Sequence, residues 1–173
     1  MANVDAPFGF LPVEDEGGGG FYTRTYIKAA ADATAVGIND LVDPTGAADT
    51  IAQAVAGGPF MGVSRSYGAA STLTSHPVIK LTASMVLVAQ EDSDGGAIAA
   101  ASEALNTDPI VAAASATTGL SAMEIDSSTA ATTSTLGARL LRLYPSPDNA
   151  QGNQARWLVK IQDLREFDLK AGI

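Results

Sequence analysis

Cysteine is absent from this 173-residue chain. The sequence therefore offers no disulfide framework, no thiolate ligand for zinc and no cysteine nucleophile. Histidine occurs once, at His76. No apolar run approaches the roughly 20 residues that a membrane-spanning helix needs. The opening residues contain neither a basic nor an apolar region, so we expect no signal peptide.

Basic residues are also scarce. Lys and Arg number 10 against 19 Asp and Glu, which gives a formal net charge of −9 at pH 7. The phosphates of nucleic acids and the surface of an anionic membrane would repel such a chain, so we expect neither as a partner. Charged residues make up 17% of the chain, below the roughly 25% of an average domain. The length is typical of one domain.

Short segments with strand periodicity are abundant. The clearest are residues 21–28, 138–144 and 156–162, which are rich in aromatic, β-branched and other apolar residues at alternate positions. Residues 84–90 are apolar almost throughout, which predicts a central strand covered on both faces. Turn signals recur at intervals of roughly 8–12 residues. We therefore predict an all-β fold, a single small β-barrel or sandwich, with a jelly roll among the alternatives.

Two further predictions concern local structure. Residues 97–105 are rich in alanine and are compatible with a short helix. In the last clear strand the alternation places Trp157, Val159 and Ile161 on one face, which we predict to be the core face.

The chain divides at a glycine-rich segment. Residues 1–20 are predicted to form an extended N-terminal arm with a glycine hinge, residues 21–162 the β domain, and residues 163–173 a C-terminal tail. Pro7 and Pro12 fix φ and lack an N–H group, so the arm is not helical.

The arm carries four apolar residues near its prolines, and these need a surface to cover them. Phe8, Phe10, Leu11 and Val13 are therefore our candidate partner-binding residues. Two interpretations remain open at this point. The arm is either a disordered tail or an extended segment that docks on its own domain or on a neighbouring subunit.

No catalytic, cofactor-binding or metal-binding residue is assigned. His76 lies between a serine and a proline without a nucleophile-elbow motif, and we predict a solvated loop residue rather than a catalytic one. The acidic turn at Asp92 begins like a calcium loop, with Glu103 at the twelfth position. Gly96 and Ala97 occupy the fifth and sixth positions, however, which favours an ordinary turn. We therefore expect no enzyme activity and no cofactor.

Several segments resemble a family of structural proteins of tailed bacteriophages. They are the opening MANVDAPFGFLPV of residues 1–13, IDSSTAATT at 125–133, LLRL at 140–143, PDNA at 147–150 and ARWLV at 155–159. The resemblance is to head decoration proteins, also called cement proteins, which bind the outside of the capsid shell.

The resemblance implies a function, partners and a location. The chain would stabilise a phage head by bridging subunits of the major capsid protein, and it would act as a homo-oligomer, either a dimer or a trimer. It would lie on the capsid exterior of the virion and in the host cytoplasm during assembly. Another virion role, in the tail or connector, is the alternative. A carbohydrate-binding or hydrolytic β domain is less favoured.

Overall fold

The structure is a computed structural model that describes residues 3–165. Within this range the regular secondary structure is almost entirely β-strand, with one short 3-10 helix at Ala100–Ser102. The strands are β1 (Leu11–Asp15), β2 (Thr23–Lys28), β3 (Leu41–Pro44), β4 (Thr50–Gln53), β5 (Gly62–Ser64), β6 (Thr74–Lys80), β7 (Met85–Gln90), β8 (Asn106–Thr107), β9 (Pro109–Ile110), β10 (Glu124–Ile125), β11 (Ala138–Leu143) and β12 (Arg156–Ile161).

The strands form a closed barrel and an open sheet. The barrel has the order β2-β4-β3-β5-β6, and its one parallel pair joins β2 to β4. The open sheet has five antiparallel strands in the order β1-β7-β12-β11-β8. In the described part of the chain, β9 and β10 form a further, two-stranded sheet. The predicted all-β class is confirmed, with a barrel and additional sheets.

The open sheet follows the predicted patterns closely. All six residues of β7 are buried, and the strand lies between β1 and β12, as its continuous apolar sequence indicates. On β12 the side chains of Trp157, Val159 and Ile161 all enter the main hydrophobic core. The alternation of this strand therefore assigned its buried face correctly.

One hydrophobic core joins the barrel to the sheet. Phe60 and Val63 of the barrel side belong to the same buried cluster as Leu87 and Trp157 of the sheet. A smaller cluster lies inside the barrel and includes Val78. The two β units are therefore packed together rather than separated by a linker.

The short helix considered for residues 97–105 is limited to the 3-10 helix at Ala100–Ser102. The segment has only Ile98 and Leu105 as large apolar residues and cannot present a longer apolar helical face. β4 and β5 are consecutive along the chain but do not pair with each other. β5 instead pairs with β3 and β6, because β4 lies on the other side of β3 in the barrel.

The free edge of the open sheet is unsuited to further strand pairing. β1 is the edge strand, and its register with β7 shifts between Pro12 and Glu14, which leaves Val13 as a bulge. Proline has no N–H to donate, and a bulge interrupts the ladder. Both features are devices by which edge strands avoid uncontrolled pairing.

Candidate partner-binding surface

The N-terminal segment, defined here as residues 3–15, lies on its own domain. Its last five residues are β1, which pairs with β7 from Leu11 opposite Val88 to Asp15 opposite Met85. The sequence-based arm of residues 1–20 therefore includes a strand of the open sheet. Of the two interpretations left open by the sequence, residues 3–15 follow the second, since they dock on their own domain.

The four candidate residues occupy different environments. Phe10 is fully buried in the main core, and burial of a side chain of this size contributes roughly 1.5–3 kcal/mol. Phe8 is half-buried and packs on the opposite face of the sheet, against the cluster of Val86 and Val88. Leu11 is half-buried. Val13 is the most exposed of the four, at 39%, and it is the one best placed to contact a partner.

Gly9 directs the two phenylalanines to opposite faces of the sheet. Residues two apart in a regular strand share a face, but Gly9 has φ of +77°, which breaks that alternation. Its neighbour Phe10 donates its backbone N–H to the carbonyl oxygen of Asn39 at 2.9 Å. A Cβ atom at position 9 would lie 2.4 Å from that same oxygen. The site requires glycine on both counts.

Buried and half-buried amide side chains hold the beginning of the segment. Gln90, at the end of β7, is only 3% exposed. Its Oε1 accepts the backbone N–H of Ala6 at 3.0 Å, and its Nε2 donates to the carbonyl oxygens of Val4 at 2.7 Å and Gln154 at 2.9 Å. Two of these three partners belong to the N-terminal segment, so Gln90 depends on the segment for its hydrogen bonds.

Asn3 makes a second set of contacts, with the turn that precedes β12. Its Nδ2 donates to the carbonyl oxygens of Ala150 at 2.8 Å and Asn153 at 2.9 Å, and its Oδ1 accepts the N–H of Ala150 at 3.0 Å. A cavity of about 250 Å³ remains between the segment and the sheet, bordered by Phe8 and Arg156 among others.

Charged and hydroxyl groups hold the other end of the segment. The Ser84 hydroxyl donates to Asp15 at 2.5 Å, and the N–H of Gly17 donates to the same oxygen at 3.0 Å. These hydrogen bonds lower the pKa of Asp15, chiefly through Ser84. Glu16 forms an ion pair with Lys160 of β12. Beyond these contacts, the four glycines at 17–20 are exposed.

His76 is buried in the barrel, so the prediction of a solvated loop residue was wrong. It lies on β6, where its Nδ1 is 2.9 Å from the Ser64 hydroxyl and its Nε2 is 2.9 Å from the Thr74 hydroxyl. Alternation along β6 places it on the same inward face as Val78. A histidine between hydroxyl groups satisfies both ring nitrogens, and no carboxylate contacts the ring to form a triad among the described residues.

A buried lysine shares this interior. Lys28 of β2 is fully buried and donates from Nζ to the carbonyl oxygen of Asp32 at 3.0 Å. Burial lowers the pKa of His76, and the charge of Lys28 lowers it further. The imidazole of His76 therefore stays neutral to a lower pH than an exposed histidine does. Ser64 beside it is fully buried, so a substrate could not reach its hydroxyl group.

Acidic side chains meet near the acidic turn. Burial raises the pKa of Glu124 to about 7, and the charges of Asp5, Asp92 and Asp94 add to the effect. Asp92 accepts the N–H of Ser127 through Oδ1 at 2.9 Å, so it ties the turn to the neighbouring loop. Within residues 3–165 no group of three or more histidine or acidic residues is arranged to hold a metal ion.

Glu124→Gln is expected to raise stability at neutral and alkaline pH. Glutamate in the unfolded chain ionises near pH 4.5, whereas in the folded chain it stays protonated up to about pH 7. Folded-state stability is therefore lost as pH rises through this window. Urea unfolding should give equal stabilities for the variant and the parent near pH 4.5, with a difference that grows to about pH 7 and is constant above it. A difference independent of pH would contradict the assignment.

Comparison of the chain with profiles of known protein families, with curated proteins and with solved structures gives no match. Among residues 3–165 no helix has the length and apolar character needed to span a membrane.

Sequence reasoning identified the apolar residues of the segment but missed the residues that hold it. Asn3, Gly9 and Gln90 were not selected. One available signal was Gly9 between two phenylalanines, since a glycine there allows the chain to reverse which face it covers. A glutamine ending an otherwise apolar strand was a second signal, because a polar group at the end of a buried strand needs a partner.

Proposed function

We propose that the protein is a capsid decoration protein of a tailed bacteriophage. In this role it binds the outer surface of the head, contacts adjacent subunits of the major capsid protein and stabilises the shell by binding rather than by catalysis. The proposal rests on the resemblance described above together with the place of the resembling segments in the fold.

The observation that carries the proposal is that most of these segments meet in one part of the molecule. Residues 140–143 belong to β11, and residues 156–159 belong to the neighbouring strand β12. Ala150 ends the turn at 147–150 and exchanges hydrogen bonds with Asn3 of the N-terminal segment. Segments far apart in sequence that resemble one family are thus assembled into the structure that receives the N-terminal segment. This arrangement supports a common role for them.

Charge and multiplicity are consistent with a shell-binding role. The formal net charge of −9 opposes binding to packaged DNA and favours association with a basic surface on the shell, chiefly by speeding encounter. Decoration proteins occur in many copies on a symmetric surface, so a modest contact at each site gains by multivalency.

Val13→Asp is the sharpest single-residue test of shell binding. Val13 lies on the bulge of β1 and is 39% exposed. Burial of its exposed part against a partner favours binding, whereas an aspartate there would place a charge in the contact, so Val13→Asp should weaken binding to undecorated heads by about tenfold or more. Sedimentation of heads mixed with labelled protein measures the bound fraction.

Val55→Asp is the matched control. Val55 is 68% exposed and follows β4 on the barrel side of the molecule. This variant should bind heads as the parent protein does, and both variants should unfold at the parent's urea midpoint. Loss of binding in Val55→Asp with normal binding in Val13→Asp would place the contact surface on the barrel. Association of the parent protein with tails but not with heads would reject the decoration role.

A further inference from the structure

The connection between the N-terminal segment and the barrel is long and is held mainly at its two ends, through Glu16 and Tyr22. β1 ends at Asp15 and β2 begins at Thr23, which leaves residues 16–22 as a linker that can span about 25 Å when extended. No heavy atom outside the adjacent residues lies within 4 Å of the Cβ position of Gly18 or Gly20. The described contacts of the glycines are confined to Asp15 and Ser84 at the end of β1 and the start of β7.

The N-terminal segment, by contrast, occupies a site on β7 and the core that only a segment with matching groups can fill. Departure of the segment would leave the buried Gln90 without two of its hydrogen bonds, remove Phe10 from the core and expose the pairing edge of β7. Each unsatisfied buried polar group costs about 1–3 kcal/mol. An empty site is therefore unfavourable, and the occupant must supply the same backbone groups and the same aromatic side chain.

We propose that residues 3–15 form an exchangeable strand that occupies the same site on a second copy of the chain. An identical segment restores every contact of the site, including the bonds of Asn3 to Ala150 and of Gln90 to Val4 and Ala6. The closed and exchanged forms then differ only in the linker, which is the condition for domain swapping. This inference concerns self-association and does not depend on the proposed function.

The linker determines which form is populated. In the closed form it reverses direction through Gly18 and Gly20, at φ of +72° and +69°, and through the N–H of Gly18 donated to the carbonyl oxygen of Asp15. A short flexible tether holds the segment near its own site at an effective concentration on the order of 1 mM. Dilute protein is therefore closed, whereas exchange competes at millimolar protein or when the linker is shortened.

Two single-cysteine variants test the exchange directly, since the native chain has no cysteine of its own. Leu11 and Val88 are opposite one another on β1 and β7. Leu11→Cys and Val88→Cys are mixed at about 1 mM, a concentration comparable to the effective concentration of the tethered segment, so that exchange between copies can compete. The mixture is incubated and then oxidised to link the exchanged segments covalently. A disulfide-linked heterodimer can form at this register only when the segment of one copy pairs with β7 of the other. The double variant should give an internal disulfide in a monomer.

Leu11→Cys mixed with Thr25→Cys is the collision control, because Thr25 is exposed on β2 and does not face the segment. We expect at least about tenfold more heterodimer from the paired variants than from the control. Deletion of residues 18–20 in both partners should increase the yield further, at lower protein concentration. Yields at the level of the control in both the full-length and the shortened linker would overturn the proposal. Normal binding to heads in that case would leave the proposed function intact.

Discussion

Trp157→Ala should lower the free energy of unfolding by about 3–5 kcal/mol, the usual cost of deleting a fully buried large aromatic side chain. Trp157 is fully buried in the core between the sheet and the barrel. Its indole N–H also donates to Oε2 of Glu91 at 3.1 Å. The substitution therefore opens a cavity and removes one of the donors to a buried carboxylate. Urea unfolding followed by far-ultraviolet circular dichroism measures the change.

Trp157→Phe separates the two contributions. Phenylalanine retains much of the apolar volume but lacks the N–H group, so its cost should be smaller and should reflect mainly the lost hydrogen bond, about 1–3 kcal/mol. The N–H of Ile98 would remain as a donor to Glu91. A Trp157→Ala variant with an unchanged unfolding midpoint would show that this side chain is not in the core.

Gly9→Ala should displace the N-terminal segment and cost roughly 2–5 kcal/mol. A positive φ costs an alanine about 1–2 kcal/mol, and forced overlap in a packed region adds about 1–3 kcal/mol. The overlap here is with the backbone oxygen of Asn39 and with Ser121, each 2.4 Å from the new Cβ atom. The Asn39 oxygen cannot move freely, because it accepts the N–H of Phe10. Amide hydrogen exchange should show loss of protection in β1 and in the facing edge of β7.

Gly18→Ala is a close control for this variant. Gly18 has φ of +72°, close to that of Gly9, but no heavy atom outside its two chain neighbours lies within 4 Å of its Cβ position. It should carry the conformational cost alone, about 1–2 kcal/mol, with protection in β1 retained. Equal costs for the two variants would mean that close packing at Gly9 is not what holds the segment.

The strands β7 and β12 of the open sheet could be predicted because the apolar pattern within each strand is sufficient to identify it. β12 has large apolar side chains at every second position, and β7 is apolar except for Gln90 near its end, so the residues of each strand alone predict which of its faces are buried. The core positions of Trp157, Val159 and Ile161 follow from that alternation and are confirmed. These properties depend on neighbours in sequence and not on which strand lies alongside.

The barrel was harder to predict because its pairings are not sequential. β2 pairs in parallel with β4 and closes the barrel against β6, and no local signal specifies either partner. The error for His76 has the same origin. Its neighbours are a serine and a proline that are both exposed, and only barrel closure encloses the histidine with Ser64 and Thr74. A polar residue at an inward position is satisfied by partners that the sequence does not identify.

The candidate surface was predictable in part. The four apolar residues of the N-terminal segment indicated correctly that it needs a surface, because apolar side chains in a non-helical segment gain by burial. The sequence could not show that Phe10 enters the core of its own domain while Val13 stays exposed, since that division depends on Gly9 and on the bulge in β1. Partner contact through Val13 stays a prediction.

The proposed place of this chain on the outer surface of a phage head is tested most directly by a cryo-electron microscopy reconstruction of purified, DNA-filled heads. We expect additional density on the outside of the shell, at a fixed ratio to the major capsid protein, into which the barrel and the five-stranded sheet fit. Heads that contain their DNA but carry no such density, with the chain absent from their protein composition, would contradict it.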